Sequence, residues 1–450
     1  MSESESESES ESERLLARVG GKGARVGFVG LGYVGLPAAC LFAEAGLRVV
    51  GVDRKGDRVR AIARGECPIE GDEPGLAEIL GRVVASGALS VSDDVAVLRE
   101  CDVVIVCVDT PVEADHRPRY GALEAATRAI GGVLRDGALV IVESTVSPGT
   151  CRTKVVPWLE AATGGALGTR FHLGHCPERV MPGRLVANMR DMPRVAGGSS
   201  PGVARAMQRL YAHVVRADVE ATDLTTAELV KTGENAFRDV QIAFANQLAR
   251  VCEDAGADFL EVRRLVNRSP GRNVLFAGAG VGGHCIPKDS WLLASGTDAA
   301  LPLLAAARAV NDAMPARVGE LLVEALAESA REVAGSVIAV LGQAYLEGSD
   351  DDRNSPTEAL VAWLRERGGT VRVHDPFVPS FERDVLVAVD GADALVVMVA
   401  HAEYASLDLA VVAGCMRRRI AIDGRRALDL AAARSAGFVT RAIGLARARS

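Results

Sequence analysis

Apolar and polar positions in the first half of the chain follow the pattern of alternating strands and helices. Short apolar runs at 25–29, 47–52, 102–108 and 138–142 predict strands, and stretches such as 121–134 predict helices between them. Strands that alternate with helices are typical of a doubly wound parallel sheet with helices on both faces. We therefore predict a first α/β lobe over residues 24–220.

The middle of the chain changes to a helical period and is followed by a second α/β pattern. Residues 223–265 contain no strand-like run, and 301–327 predict one long helix that Met314-Pro315 should kink or split. We expect this helix to link two lobes and to offer a dimer surface. Beyond Gly335, strands are predicted at 336–341, 370–374, 394–399 and 419–422, with a helix at 356–367.

These patterns predict an α/β fold with two Rossmann-like, doubly wound lobes, joined by a long central helix and a helical middle domain. The predicted divisions are a Ser/Glu tail at 1–23, the first α/β lobe at 24–220, the helical domain at 221–327 and the second α/β lobe at 328–450. The tail has nothing apolar to bury, so we expect it to be disordered.

Charge and composition exclude several classes of function. The tail contains six Glu within residues 2–13 and accounts for most of the net charge of -8, so the rest of the chain is nearly neutral. A neutral body without a Lys/Arg run argues against nucleic acid or an anionic membrane as a partner. There is no secretory signal pattern and no run of eighteen apolar residues, which favours a cytoplasmic location.

Cysteine and histidine spacing gives no sign of a disulfide framework or a metal site. The nine Cys include no C-x-x-C pair, which fits reduced thiols. The group His172-x-x-His175-Cys176 has no second Cys/His pair at zinc spacing, so we predict no metal.

A glycine motif in the first lobe predicts a dinucleotide site. Gly30-x-Gly32-x-x-Gly35 follows a strand and opens a helix, and Asp53 ends the next strand 23 residues after Gly30. The glycines allow a tight turn and close approach of a pyrophosphate to the helix N-terminus. Asp53 favours NAD over NADP because a carboxylate repels a 2′-phosphate, although Arg54 stands beside it. The predicted cofactor contacts are Gly30, Gly32, Tyr33, Val34, Gly35, Asp53, Thr110, Pro111 and Thr145.

A second glycine-rich loop predicts a reactive thiol. Glycines at 280, 282 and 283 precede Cys285, and Lys288 and Asp289 follow it. A basic neighbour favours the thiolate and hence a nucleophile, whereas a lone Cys is more often a small buried apolar side chain. Upstream, Lys231 and Asn235 are four residues apart on a predicted helix, so they share a face and can hold a developing oxyanion. The alternative for Lys231 is an ordinary solvated surface residue.

Six stretches together resemble the nucleotide-sugar 6-dehydrogenases, the UDP-glucose/GDP-mannose dehydrogenase family. Their sequences are GLGYVGLP from Gly30, ESTVSPGT from Glu143, PERVMPG from Pro177, ELVKTGENAFRDVQIAFANQL from Glu228, GAGVGGHCIPKD from Gly278 and DDRNSP from Asp351. The resemblance implies an enzyme that oxidises a sugar C6 alcohol to a carboxylate in two hydride transfers, with NAD and a covalent thiol intermediate. It also implies homodimers.

The resemblance assigns roles to individual residues. Cys285 is similar to the family nucleophile that forms a thiohemiacetal and then a thioester. Lys231 and Asn235 resemble the oxyanion-stabilising pair, and Asp289 with Thr145 resemble the holders of the hydrolytic water. Glu178 matches a further acidic position. The substrate contacts it implies are Glu178, Arg179, Lys231, Asn235, Gly282, Arg353 and Arg425.

The second α/β lobe resembles the family's UDP-binding domain, with one departure. Arg353 and Arg425 match basic positions near a diphosphate, where a guanidinium suits phosphate oxygens. The family usually has Lys after the aromatic residue that here is Tyr345, but this chain has Leu346. One expected positive contact with the nucleotide is therefore missing.

Sequence signals for the sugar conflict. The segment 177–183, the segment 234–240 and His284 resemble the N-acetylhexosamine branch, such as UDP-N-acetylmannosamine dehydrogenases, whereas Lys288-Asp289 resembles the glucose branch. We expect a UDP-hexose, with a dTDP-sugar as an alternative.

Two other functions stay open at this point. One is a two-electron hydroxyacid dehydrogenase in which Lys231 is the acid/base and Cys285 merely packs. The other is a non-enzymatic NAD-binding or scaffold protein, suggested by the Ser/Glu tail and by Leu346 in place of the usual Lys.

Overall fold

The computed structural model describes residues 17–69, 71 and 73–446. The chain forms two compact units: unit 1 comprises Met1–Glu234 with Trp291–Asp298, and unit 2 comprises Asn235–Ser290 with Ala299–Ser450. The predicted helical domain at 221–327 is thus shared between the two units. Residues 1–16 of the predicted tail lie outside the described residues, and Val19, which was also assigned to the tail, is fully buried in the core of unit 1.

Unit 1 is built on an eight-stranded sheet of order β3-β2-β1-β4-β5-β6-β7-β8. All neighbouring strands are parallel except β6 and β7, which are antiparallel. The predicted doubly wound α/β fold is confirmed, with this one antiparallel pair as a departure from a parallel sheet. The strands are β1 Arg25–Val29, β2 Arg48–Val52, β3 Leu89–Ser92, β4 Val103–Val106, β5 Ala138–Val142, β6 Phe171–His175, β7 Arg194–Gly198 and β8 Val219–Asp223.

Helices cover both faces of this sheet, as the apolar strands require. Two apolar cores, one on each face, take alternate residues of the central strands: Val103 and Ile105 on one side, Val104 and Val106 on the other. The helices are α1 Gly35–Glu44, α2 Gly56–Ala63, α3 Leu76–Ala85, α4 Gly121–Gly131, α5 Val156–Thr163, α6 Leu185–Asp191 and α7 Pro201–Tyr211, with a 3₁₀ turn at Val95–Glu100 and a π turn at Cys151–Val155.

The next four helices occupy the middle of the chain. They are α8 Leu224–Ala255, α9 Phe259–Val266, α10 Ile286–Ala294 and α11 Pro302–Asp312, followed by α12 Met314–Ala327. The long helix is α8, with 32 residues, and not the segment 301–327 that we predicted to link the lobes. That segment is split at Ala313, as Pro315 in the first turn of α12 led us to expect, because proline cannot donate an N–H to the preceding turn.

Unit 2 contains the second α/β lobe, a parallel five-stranded sheet of order β10-β9-β11-β12-β13. Its strands are β9 Val337–Leu341, β10 Thr370–His374, β11 Ala394–Val397, β12 Ile420–Asp423 and β13 Val439–Ala442. Its helices are α13 Pro356–Glu366, α14 Val385–Val389, α15 Ala402–Ala405, α16 Leu409–Cys415 and α17 Leu430–Ser435. The predicted strands of this lobe are confirmed to within two residues at either end.

The group His172-x-x-His175-Cys176, which was weighed as a set of metal ligands, lies at the end of a strand of the first sheet. His172 and His175 lie in β6, where residues three apart point to opposite faces, so the two rings do not converge. Among the described residues, no group of three or more His, Cys, Asp or Glu side chains is placed to hold a metal ion.

Candidate active site

The glycine-rich turn between β1 and α1 has a shape that suits a bound pyrophosphate. Gly30 has a φ of 91°, and a Cβ there would lie 2.5 Å from the carbonyl oxygen of Cys107. A Cβ on Gly35 would lie 1.9 Å from the Gly30 carbonyl oxygen. At Gly32, by contrast, the nearest atom would be Arg58 Nη1 at 3.9 Å, so a ligand can approach the backbone. No side chain caps the first turn of α1, which suits an anion at its N-terminus.

Asp53 stands at the end of β2 as a buried, oriented carboxylate. Its Oδ2 accepts the Leu31 N–H at 2.9 Å and lies 3.1 Å from Arg58 Nη1, and its Oδ1 accepts the Lys55 N–H at 2.9 Å. Burial alone would raise the pKa of Asp53, but these N–H groups and the guanidinium hold it below the usual value. The carboxylate is therefore ionised beside the glycine turn, as a ribose site requires. Sequence reasoning noted Arg54 and missed Arg58.

The remaining predicted cofactor residues lie in unit 1 near the ends of the sheet strands. Thr110 Oγ1 donates to the carbonyl oxygen of Thr145 at 2.6 Å, which ties together the segments that follow β4 and β5. Tyr33 OH donates to Glu73 at 2.6 Å, and Val34 immediately precedes α1.

Pro111 follows Thr110, and its carbonyl oxygen accepts the N–H of Arg119. The carboxyl ends of parallel strands are where ligands bind in such sheets.

Lys231 is not a surface residue. It lies in α8 with 6% of its area exposed, and its Nζ is 3.6 Å from Oε1 of the equally buried Glu178. The structure thus brings these two predicted residues together. Arg179 next to Glu178 is paired with Glu234, with Nε 3.0 Å from Oε2.

Asn235, Asp289 and Lys288 form a second cluster, in unit 2. Asn235 Nδ2 donates to Asp289 Oδ2 at 2.5 Å, and Lys288 Nζ is 3.2 Å from the other oxygen, Oδ1. Asp289 is fully buried and Lys288 nearly so. From the sequence, Lys288 was notable only as a basic neighbour of Cys285 and as part of the Lys288-Asp289 pair that resembles the glucose branch of the family. Its ion pair with Asp289 depends on the turn of α10 and was not predicted.

Cys285 lies at the N-terminus of α10. Its carbonyl oxygen accepts the N–H groups of Lys288 and Asp289 at 3.1 and 2.9 Å, which begins the helix. The positive end of a helix favours a thiolate over a thiol. Cys285 is partly exposed, unlike a cysteine that merely fills a core.

Tyr345 and its neighbours fix the glycine loop that precedes Cys285. Cβ atoms on Gly282 and Gly283 would lie 2.6 and 2.8 Å from Tyr345 side-chain atoms. The Gly283 N–H donates to the Arg353 carbonyl oxygen at 2.9 Å, and Asn354 Nδ2 donates to the Gly283 carbonyl oxygen at 3.2 Å. Only glycine allows this approach. From the sequence, Tyr345 was notable only as the aromatic residue before Leu346, and its packing against the glycine loop was not predicted.

The two predicted phosphate-binding arginines have different environments in unit 2. Arg353 Nε lies 2.8 Å from Asp351 Oδ1, so a carboxylate already neutralises its charge. Arg425 donates to the carbonyl oxygens of Met398 at 3.0 Å and Gly280 at 2.9 Å. These hydrogen-bond partners are neutral, so neither of them neutralises the Arg425 guanidinium beside the glycine loop.

One positioning residue of unit 1 was missed. Both carboxylate oxygens of Glu228, which is buried in α8, accept backbone N–H groups, from Gly149 at 2.6 Å and from Cys151 at 2.8 Å. These bonds fix the segment that carries Thr145. The sequence pointed to Glu228 only because it begins one of the six stretches that resemble the family.

Three models of one family match consecutive parts of the chain. The NAD-binding domain of the UDP-glucose/GDP-mannose dehydrogenase family matches residues 24–215, its central domain 225–313 and its UDP-binding domain 339–430. The chain belongs to this family. It is an NAD-dependent nucleotide-sugar dehydrogenase, as the resemblance implied.

Individual relatives in the family match nearly the whole chain. A UDP-N-acetyl-D-mannosamine dehydrogenase of Pyrococcus horikoshii is 40% identical over 420 residues, covering 93% of this chain and 99% of the relative. A solved structure of a UDP-N-acetyl-D-mannosamine dehydrogenase from Pyrococcus horikoshii superposes with a TM-score of 0.89, at 40% identity, over 93% of this chain and 99% of that chain. An NDP-N-acetyl-D-galactosaminuronic acid dehydrogenase of Ralstonia nicotianae is 35% identical over 416 residues, covering 89% and 95%.

Membership of the family removes the non-enzymatic alternative. A nucleotide sugar is the class of substrate, since a UDP-binding domain forms part of the chain. No helix within the described part of the chain combines the length and the apolar character needed to cross a bilayer.

Proposed function

We propose that this dehydrogenase carries out the four-electron oxidation of the C6 alcohol of a UDP-N-acetylhexosamine to the carboxylate, through a thioester on Cys285. The observation that carries the proposal is the cluster at the start of α10. A partly exposed cysteine at a helix N-terminus is followed, four residues later, by a buried carboxylate that holds a carboxamide at 2.5 Å. A two-electron hydroxyacid dehydrogenase has no use for this arrangement.

The residues have distinct roles in the proposed reaction. NAD, held at the glycine turn of unit 1, would supply the oxidant for the two hydrides that leave the sugar C6. Between the two hydride losses, the Cys285 thiolate adds to the C6 aldehyde and forms a C–S bond, and the carbonyl oxygen becomes a thiohemiacetal oxygen. After the second oxidation the thioester is hydrolysed: water adds to the carbonyl carbon, the C–S bond breaks, and Cys285 leaves as the thiolate. The net products are a carboxylate, two NADH and protons.

Charge development at O6 defines the remaining roles. We assign Lys231 and Asn235 as donors to this oxygen, because an ammonium and a carboxamide N–H both stabilise an alkoxide. Asp289 and Thr145 are assigned to the water and its proton, and Glu178 supports Lys231 through their ion pair. Lys231 and Asn235 are each held by a carboxylate in their own unit, so little reorganisation of these two donors is needed when charge appears.

The second lobe is assigned to the nucleotide. Arg425 is the better candidate for a phosphate oxygen, because its partners in the structure are neutral carbonyl groups. Arg353 would have to share its guanidinium with Asp351. The predicted divisions at 24–220, 221–327 and 328–450 are retained as functional domains, which the ranges matched by the three family models support.

The N-acetylhexosamine assignment is supported by the relatives, whose names refer to UDP-N-acetyl-D-mannosamine and to NDP-N-acetyl-D-galactosaminuronic acid, both N-acetylated sugars. UDP-glucose is the second candidate, favoured by the Lys288-Asp289 pair in the cysteine loop.

We also propose a homodimer through α8. Phe237, Phe244 and Val251 are seven residues apart, so they share one face of the helix, and each is more than half exposed. An apolar stripe of this kind is typical of a contact surface.

A substrate panel tests the proposed function. The enzyme is incubated with excess NAD and limiting UDP-N-acetylmannosamine, UDP-N-acetylgalactosamine, UDP-glucose or dTDP-glucose. We expect two NADH per sugar and no free aldehyde, with the highest kcat/KM for an N-acetylated sugar. One NADH per sugar with aldehyde accumulating contradicts the thioester route, and preference for UDP-glucose contradicts the sugar assignment.

A further inference from the structure

Helix α8 carries two buried polar side chains that no step of the proposed reaction uses. Asp239 is fully buried and Asn246 is 1% exposed. Both belong to the stretch from Glu228 that carries the resemblance, in which Lys231 and Asn235 are the residues assigned to the reaction. A buried polar group is destabilising unless it is hydrogen-bonded, so the partners of these two side chains indicate their purpose.

The partners form one continuous chain of hydrogen bonds in unit 2. Ser290 Oγ donates to Asp239 Oδ2 at 3.2 Å, and Asn311 Nδ2 donates to Asp239 Oδ1 at 2.7 Å. Asn246 Nδ2 donates to Asn311 Oδ1 at 2.9 Å, and the backbone N–H of Gly278 donates to Asn246 Oδ1 at 3.0 Å. All four side chains are at most 1% exposed. The chain therefore runs from Ser290, through three side chains, to Gly278.

The two ends of this chain are the two ends of the cysteine loop. Gly278 precedes the glycines of the loop, and Ser290 follows Asp289 in α10. We propose that Asp239, Asn311 and Asn246 form a clamp that fixes both ends of the segment 278–290 and so positions Cys285. The residues of the clamp are positioning residues, because they act on the thiol through the loop backbone.

The hydrogen-bond directions in the clamp leave no freedom for either amide. Each asparagine donates through Nδ2 towards Asp239 and accepts through Oδ1 from the Gly278 side. The Asp239 carboxylate accepts every bond it makes in this chain. Its charge is balanced by Arg308, which is 2% exposed and donates to Asp239 Oδ1 at 2.6 Å. A single apolar substitution at Asn246 or Asn311 therefore breaks the chain of hydrogen bonds between Gly278 and the Asp239 carboxylate.

The inference rests on the proposed role of Cys285, so its test needs readouts that do not depend on turnover. Asn246→Leu keeps the size of the side chain and removes both of its bonds. We measure amide hydrogen exchange of the peptide spanning 278–290 and the rate of Cys285 alkylation by iodoacetamide, located by mass spectrometry. Both are measured on the full-length protein without substrate, beside kcat and KM for NAD.

We expect faster exchange in 278–290 and at least about a threefold change in the alkylation rate. If Cys285 is the nucleophile, kcat falls by about 10²-fold, since misplacement of a reacting group by about 1 Å has an effect of that size. KM for NAD stays within about twofold, because the dinucleotide turn belongs to unit 1. Exchange and alkylation equal to the wild type would overturn the clamp. Altered exchange and alkylation with unchanged kcat would keep the clamp and contradict the role of Cys285.

Glu253→Gln is the matched control. Glu253 is another carboxylate of α8, with its side chain 7% exposed; it accepts the Gly444 N–H at 2.8 Å and pairs with Arg317 at 2.7 Å. It has no bond to the cysteine loop, so we expect lower stability with normal exchange in 278–290. Should Asn246→Leu fail to fold, Ser290→Ala removes only the other end of the clamp and is judged by the same readouts.

Discussion

The Nδ2 atom of Asn235 lies 2.5 Å from Oδ2 of Asp289, a carboxylate whose side chain is 1% exposed. The carboxamide is thereby fixed in one orientation, since only its N–H₂ end can donate to an anion. Its second N–H is the donor that we assign to the substrate oxygen. The loop residue Asp289 therefore determines how the helix residue Asn235 functions.

Asn235→Ala should lower kcat about 10² to 10³-fold, the usual effect of losing one oxyanion donor. KM for NAD should change little. Asn235→Asp should be at least as harmful, because it places a carboxylate against Asp289. Steady-state kinetics with saturating NAD measure this, and a kcat within twofold of the wild type would contradict the assignment.

Cys285→Ser should abolish thioester formation and lower uronate production by about 10³-fold or more. Cys252→Ser is the control, because Cys252 is a buried cysteine of α8 outside the loop. Mass spectrometry of wild-type enzyme quenched during turnover should show the sugar on the Cys285 peptide. Adduct at another cysteine, or full activity of Cys285→Ser, would refute covalent catalysis by this residue.

Lys231→Met should reduce stability as well as activity. It leaves Glu178 buried without its cation, and breaking a buried pair typically costs about 3 to 5 kcal/mol of unfolding free energy. Arg264→Met is the comparison, because the Arg264–Glu261 pair is more than half exposed and solvent screens it, so its loss should change the unfolding free energy much less. Urea unfolding measures both, and equal losses would show that the Lys231 pair is not effectively buried.

Two glycines of the dinucleotide turn should respond differently to alanine. Gly35→Ala places a Cβ 1.9 Å from the Gly30 carbonyl oxygen, so the turn must shift and Tm should fall. Gly32→Ala meets no protein atom closer than 3.9 Å, so Tm should be retained while NAD binding weakens by about tenfold or more. Thermal unfolding and NAD titration separate the two effects. Unchanged NAD affinity in Gly32→Ala would place the pyrophosphate elsewhere.

His175 should make the protein sensitive to acid. Burial in β6 lowers the pKa of His175 to about 4, below the unfolded value near 6.5. Between these pH values the unfolded chain binds the extra proton, so the stability that neutral His175 provides above pH 6.5 is lost as pH falls. The expected slope is about 1.4 kcal/mol per pH unit.

His175→Gln should flatten this part of the curve of unfolding free energy against pH, relative to the wild type. His213→Gln, at a half-buried position, serves as the control. Parallel curves for the wild type and His175→Gln would show that protonation of this ring does not cause the loss of stability at acid pH.

Local sequence determined the fold class and the dinucleotide turn. Val103 to Val106 have no polar side chain to face water, so only a strand covered on both faces satisfies them, and Gly30 and Gly35 occupy positions that no side chain can enter. These constraints act over a few residues, which is why the pattern alone was sufficient. The sequence also placed Cys285 directly after a glycine-rich loop.

Tertiary structure alone decided which charges are neutralised. Lys231 pairs with Glu178, 53 positions away in the chain, and becomes buried, whereas Arg353 pairs with its neighbour Asp351. Asp239 and Asn246 gained a role only when Asn311 and the cysteine loop came beside them. The hydrophobic period of a sequence indicates which face of a helix is apolar. It does not indicate which polar group, distant in the sequence, contacts a given side chain of that helix. Hydrogen bonds act over about 3 Å and depend on packing across the whole unit.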